Sequence, residues 1–263
     1  IQEKKLVEVY PKGFPEQMKS YDLKSENIWK EATLKFRVGE THLLRVKYLG
    51  IVIGHLKLKV ETPVMIKDRK VNHFKAILKS EKFYSMIYSL EDTVDSYVDY
   101  EKFLPVKYVL RQRETGKEID DLQLFDHEKF KSYLWYKKVK KKEVTQYSKS
   151  GFIPIYFQDI FSGVYFMRSL VGDIGMKYEF PVSTKTKLYL STVFFEKKEI
   201  INIDGKKYKA IKIKSLSKFP GVDDKKDKFI YFWLSDDNSR KLLKVELKIK
   251  IGTAVGELVE YQR

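Results

Sequence analysis

Residues 41–61 read THLLRVKYLGIVIGHLKLKVE. From Leu44 to Tyr48, and again from His55 to Glu61, apolar and polar side chains alternate one by one. A strand sends successive side chains to opposite faces, so this period of two gives one apolar and one polar face. A helix of 3.6 residues per turn would scatter the same residues around its axis. Leu49, Gly50 and Ile51 separate the two runs, and the glycine supplies turn geometry, so 41–48 and 52–61 are predicted to form a β-hairpin.

The same alternation extends outward in both directions. It recurs at 71–80, 93–100, 106–112, 119–125 and 130–138, and then at 177–182, 187–196, 199–202, 208–214, 229–234, 242–249 and 254–261. Pro63, Pro105 and Gly116 mark breaks, and Asp204-Gly205 is a strong hairpin turn signal. The expected fold is therefore mainly β. It is a curved antiparallel sheet forming a half-open barrel or sandwich, with one principal helix packed on its inner face.

That helix is placed at 155–171, where the alternation stops. At 100° per residue, Phe157, Ile160, Phe161, Val164, Met167 and Val171 gather on one arc, and Gln158, Asp159, Ser162 and Ser169 on another. Phe166 and Leu170 intrude on the polar arc, so burial on more than one side is expected. Residues 83–90 (FYSMIYSL) fit neither period and are read as a short helix or irregular segment. Pro11, Gly13 and Pro15 suggest that residues 1–30 form an extended arm leading into a single β-rich domain, 31–263.

Composition bounds the function. The 263 residues carry a net charge of +16 with pI near 9.5, which suits an acidic partner surface. Of the 52 basic residues only eight are Arg, however, and bidentate Arg is the usual reader of bases and phosphates. Nucleic acid is accordingly set aside as a main partner, and much of the charge is read as solvated surface. The absence of cysteine excludes disulfides, thiolate metal sites and a cysteine nucleophile. No apolar run reaches the roughly 20 residues of a spanning helix. The chain opens on Ile1 without an initiator methionine, and removal of an upstream leader is expected.

No catalytic constellation emerges. The histidines at 42, 55, 73 and 127 are dispersed, with no HxH or HExxH spacing. Ser162 stands in FSGV rather than in a glycine-flanked nucleophile elbow, and no GxGxxG or P-loop occurs. Asp159, Asp236 and Asp237 are read as backbone-binding carboxylates of turns and helix starts. The expectation is a protein that is not an enzyme, with no cofactor and no metal site. Two clusters remain as binding candidates. Trp135 and Tyr136 precede Lys137, Lys138, Lys140, Lys141 and Lys142, a pairing of rings and charge suited to an anionic membrane surface. Phe157, Phe161, Tyr165 and Phe166, with Arg168 beside them, are candidates for lining a ligand cavity between sheet and helix, or for filling the core.

Several strings occur in collinear order: YLGIVIGHLKLKV (48–60), FDHEK (125–129), QDIFSGVYFMRSL (158–170), VGD (171–173), FPV (180–182), DGKKYKAIKIK (204–214), WLSDD (233–237) and IGTAVGELVEY (251–261). In these the chain resembles the bacterial domain of unknown function 3108 family, over roughly 36–261. The resemblance implies a β-rich, exported envelope protein without an assigned activity, periplasmic or associated with the outer membrane. The Lys-rich stretch before the helix departs from the usual pattern. The functional expectation is a non-catalytic envelope binding protein for a lipid, glycolipid or lipoprotein. The alternative is an interaction or scaffolding component of an envelope assembly.

Overall fold

A computed structural model describes residues 10–81, 88–170, 172–216, 229–248 and 252–263. Residues 1–9 of the expected arm, 83–87 of the segment that fits neither period, and Val171 at the end of the expected helix lie outside them. The fourteen alternating segments account for thirteen strands, because 187–196 and 199–202 join into one, while 143–152 and 158–159 are strands that the alternation does not mark. Among the described residues there are thus fifteen strands. In chain order these are β1 (Thr41–Tyr48), β2 (Ile51–Ile66), β3 (Arg69–Ser80), β4 (Glu91–Asp99), β5 (Pro105–Glu114), β6 (Lys117–Asp126), β7 (Lys131–Lys140), β8 (Glu143–Phe152), β9 (Gln158–Asp159), β10 (Lys177–Thr184), β11 (Lys187–Ile203), β12 (Lys206–Leu216), β13 (Phe229–Ser235), β14 (Leu242–Lys248) and β15 (Thr253–Gln262). Among the described residues two helices accompany them, α1 (Glu16–Glu31) and α2 (Ser162–Ser169).

All strands belong to one sheet, ordered β8-β7-β6-β5-β4-β3-β2-β1-β15-β14-β13-β12-β11-β10-β9. Every pairing is antiparallel except the short parallel joint between β9 and β10. The order is that of an up-and-down ring cut once. Consecutive strands are neighbours throughout, β1 meets β15 in the middle, and the single seam falls between β8 and β9. There the chain leaves the sheet and carries α2 into the concavity. The sheet is thus curved but unclosed, with the principal helix on its inner face, as the alternation predicts.

Across the seam the two edges approach without forming a ladder. The Lys185 amide donates to Gln123 Oε1 at 2.9 Å, and the Lys185 ammonium lies 4.8 Å from the centre of the Tyr136 ring. Gly151 on β8 faces the Thr186 carbonyl so closely that a Cβ there would sit 2.4 Å from the oxygen. Gly54 plays the same part inside the sheet, where a Cβ would lie 2.3 Å from the Lys79 carbonyl.

Side chains from both halves of the ring meet around α2. Leu44, Phe74, Val98, Tyr108 and Phe125 come from one half, and Phe180, Val193, Phe195, Ile211 and Ile213 from the other. Burying this many large apolar side chains, at about 25 cal/mol per Å² of apolar surface, is the main force holding the curve.

Three expectations need correction. Pro63 does not end a strand: β2 runs through it to Ile66, and the register shift between Glu61 and Val64 leaves the proline in a bulge, where its missing N–H costs nothing. The arm at 1–30 is not simply extended, because α1 occupies Glu16–Glu31 with Pro15 at its N-cap. The principal helix is shorter than 155–171. Gln158 and Asp159 pair with Val182 and Ser183, and the Asp159 carboxylate accepts the Phe161 and Ser162 amides at 2.8 Å, so helical turns begin only at Ser162. Ile160, expected on the buried arc, therefore sits in a turn and is 37% exposed.

α1 spans the seam, with contacts on both sides of it. Phe14, just before it, packs edge-on against Phe130 and Phe152 beside β7 and β8. Trp29, near its end, lies 4.1 Å from Phe166 of α2 and 6.2 Å from Phe180 of β10, centre to centre. Between these contacts the fully buried Asp22 carboxylate accepts the Tyr10 hydroxyl at 2.7 Å and the Ile155 and Tyr156 amides at 3.0 and 2.8 Å.

Candidate ligand groove

The side chains expected to line an internal cavity are the core itself. Phe157 is fully buried between Phe125 and His127, with ring centres 5.2 and 5.6 Å away. Phe161 meets Tyr165 edge-on, and Tyr165 stacks on Phe74 at 4.0 Å. Phe166 is sandwiched between Trp29 and Phe180. These rings pack against one another in the core between sheet and helix.

Arg168 is buried among them and fully engaged. Its Nη1 donates to Glu40 Oε1 at 2.6 Å, its Nε to the Arg240 carbonyl at 2.9 Å, and its Nη2 to the Ser239 carbonyl at 3.2 Å. His42 lies 3.6 Å from the same Glu40 oxygen and accepts the Leu242 amide at 3.2 Å. Burial holds its imidazole down to about 3, and the positive charges of Arg168 and Lys241 add to the effect, so the ring is neutral. Asp159 accepts the Ser96 hydroxyl as well as the two amides, while burial raises its carboxyl. Each of these polar groups ties separate chain segments together. Among the described residues no group of three or more His, Cys, Asp or Glu gathers to hold a metal ion.

The Lys-rich run is divided by the pleat. Trp135 and Lys137 project from the outer face of β7, whereas Tyr136 points inward and stacks on Tyr147 at 4.9 Å. Lys138 and Lys140 share the inward register, and Lys141 and Lys142 form the β7–β8 turn at φ 47° and 72°. The seven residues do not make one surface, because neighbours in a strand face opposite ways.

What the ladder does assemble is an open groove of about 700 Å³ on the outer face of β5 to β8. Its apolar floor is one cross-strand row, Val109, Leu122 and Trp135, which face each other through the β5–β6 and β6–β7 registers. The adjacent row brings Arg111, Asp120 and Lys137 together, with Gln146 completing it on β8, and Lys107 lies at the other side. Trp135 is 46% exposed and stacks on Tyr133 at 6.4 Å. Asp120 is matched by Arg113 at 2.6 Å and Arg111 lies 3.6 Å from Asp95, so Lys107 and Lys137 are the cations that leave the groove positive. A volume of this size lies within the range of small-ligand sites.

Of the groove residues, only Trp135, Tyr136 and Lys137 stand out in the sequence. Val109, Leu122 and Trp135 are thirteen residues apart in turn and become neighbours only through the ladder. A smaller cavity of about 240 Å³ lies between Arg69, Lys102, His127, Phe130 and Ile155. There the His127 Nε2 bonds the Pro105 carbonyl at 2.7 Å.

Geometry and composition together define a non-membrane-helical, barrel-like antiparallel β protein; among the described residues no helix is long and apolar enough to cross a membrane. Within that class the chain belongs to the family described as "Protein of unknown function (DUF3108)", which matches residues 44–259. Among solved structures it is similar to a beta-barrel-like protein of domain of unknown function DUF1849 from Brucella abortus, with a TM-score of 0.53 at 10% identity, covering 86% of this chain and 97% of that one. The likeness establishes the shared fold. The lipoprotein LppX of Mycobacterium tuberculosis aligns over 93% of this chain and 94% of its own, at 10% identity and a TM-score of 0.24. Comparison with curated proteins finds no match.

Proposed function

We propose that the protein is a non-catalytic binding protein of the bacterial envelope that holds an anionic amphiphile, a lipid or glycolipid, in the groove on β5 to β8. The observation that carries this reading is the groove's division into an apolar floor of Val109, Leu122 and Trp135 beside Lys107, Lys137 and Arg111, the last of which also lies 3.6 Å from Asp95. An alkyl or sugar face covers the indole and aliphatic floor. A phosphate or carboxylate then meets Arg111 and Lys137, where Arg offers paired donors. The burial of Phe157, Phe161, Tyr165 and Phe166 in the core supports a ligand bound outside the sheet rather than against these rings. The family's exported character, expected from the sequence, supports a place in the periplasm or at the outer membrane.

The test is a titration with a single-chain anionic phospholipid below its critical micelle concentration, followed by indole fluorescence and calorimetry, with a zwitterionic analogue as control. Trp135→Ala should weaken binding about tenfold, corresponding to about 1.4 kcal/mol of lost contact. Arg111→Gln should abolish the preference for the anionic headgroup. Equal affinity of wild type and both variants would refute the site.

A second reading, a scaffolding component, is favoured by β8. Its residues 143–150 are largely exposed, and among the described residues no strand pairs with its far side, so it offers a backbone edge. Concentration-dependent self-association lost on Thr145→Pro would favour that role.

A further inference from the structure

Along one rim of the open barrel, described residues at neighbouring strand ends bond one another. The Glu81 amide, just after β3, donates to the Ile53 carbonyl of β2 at 3.0 Å. The Ser80 amide donates to the Leu90 carbonyl at 2.9 Å, and the Thr115 amide to the Ser89 carbonyl at 2.9 Å. The Lys141 amide completes the row on the Gly116 carbonyl at 3.4 Å. Gly252, just before β15, lies on the same rim, since a Cβ there would lie 2.4 Å from Leu49 Cδ2.

This rim is unusually apolar for loop tips. Leu49 is 62% exposed, Ile51 54%, Tyr88 47% and Val144 60%. Two of its carboxylates are matched in place, Glu91 by Lys79 at 3.1 Å and Glu114 by Lys117 at 2.8 Å, and Glu81 lies 2.8 Å from the His55 ring. Lys140, Lys141, Lys142 and Lys248 have no ion-pair partner among the described residues, against the carboxylates of Glu118 and Glu143, which likewise have none. Exposed aliphatic tips among unpaired lysines match a surface that is anionic at its boundary and apolar beneath, which is the chemistry of an acidic bilayer.

Resting on the amphiphile reading above, we infer that this rim docks on an anionic lipid bilayer, with Leu49 and Ile51 entering the interface and Lys140, Lys141 and Lys142 contacting headgroups. The orientation suits the groove. Val139 and Val144 face each other on the outer face, one two-residue step, about 7 Å, beyond Lys137 and Gln146 of the groove. A rim-docked molecule therefore brings one end of the groove to the lipid surface.

The experiment measures sedimentation of the protein with phosphatidylglycerol-containing vesicles and with pure phosphatidylcholine vesicles. Leu49 stands at φ 49° before Gly50 at φ 82°, a turn that Asn-Gly adopts without strain, so Leu49→Asn keeps the fold while removing the apolar tip. Leu49→Asn with Ile51→Ser should lower anionic-vesicle partitioning about tenfold or more. The triple exchange of Lys140, Lys141 and Lys142 to Gln should lower it roughly a hundredfold, at about a factor of five per lysine. Wild-type binding should fall steeply as salt rises from about 0.15 M to about 1 M, where the screening length shrinks from about 8 to about 3 Å. Wild-type protein that ignores anionic vesicles, or rim variants that bind them as well as wild type, would overturn the inference. The two proposals fail separately: a rim variant should still bind monomeric anionic phospholipid, and Trp135→Ala should still sediment with vesicles.

Discussion

Replacing Arg168 by alanine should be among the most damaging single changes in this protein. The guanidinium is 2% exposed and joins three distant parts of the chain: Glu40 ahead of β1, α2 on which it stands, and the carbonyls of Ser239 and Arg240 between β13 and β14. Without it the Glu40 carboxylate, whose side chain is 3% exposed, keeps only the Tyr261 hydroxyl at 3.3 Å and the neutral His42. Breaking a buried pair on one side costs about 3–5 kcal/mol, because a charge is left without compensation. At about 2–4 °C per kcal/mol for a chain this large, the melting temperature should fall on the order of 10 °C. The assay is thermal and urea unfolding at pH 7. A second arm replaces both partners, Arg168→Met with Glu40→Leu, and should recover about 2 kcal/mol or more relative to the sum of the single changes. Recovery should be incomplete, since the two carbonyls remain unpaired at about 1–3 kcal/mol each. A melting temperature within about 2 °C of wild type for Arg168→Ala, or strict additivity in the double variant, would refute the reasoning.

Acid should expose two opposed buried groups. Burial pushes the Asp22 carboxyl up to about 6 despite its three donors, so between about pH 4 and 6 the folded chain holds a proton that the unfolded chain has released, and acidification stabilises. His42, held down to about 3, does the reverse below its ordinary value, because the unfolded chain takes the proton first. Urea unfolding from pH 7 to 4 should show Asp22→Asn losing stability more steeply than wild type, by up to about 1.4 kcal/mol per pH unit, and His42→Gln less steeply; parallel curves would sink the assignment. Gly151→Val should force the β8 edge away from Thr186, costing about 1–3 kcal/mol and raising hydrogen exchange at the Lys185 amide, whereas unchanged exchange would mean that the seam contact is not held.

The sheet was legible in residues 41–61 because a period of two is a local property that survives without knowing the partner strand. α1 was not, because its buried face carries Asp22 and Ser25 where an amphipathic stripe would carry leucines; only Ile28 and Trp29 near its end show the apolar side. The start of α2 was obscured by Phe157 and Ile160, which extend its apolar arc backward although Asp159 has already turned the chain. The lysine run was visible as charge, but alternation divides it, and the groove depends on registers that join residues thirteen positions apart. Such registers are fixed by the whole ladder and by turn lengths, not by any one strand.

The meeting of β1 with β15 also bears on how the chain acquires its structure. Strands β1 to β8 can form by adding each new hairpin to the last, and β10 to β15 likewise, with short loops to close. The joint between these halves links residues near 41 to residues near 262, and it lies at the centre of the sheet rather than at a margin. Until the last ten residues arrive, β1 therefore presents an open edge in what will become the interior of the ladder. A chain stalled or truncated before Thr253 would expose that edge to other molecules, with intermolecular strand pairing as the expected fate.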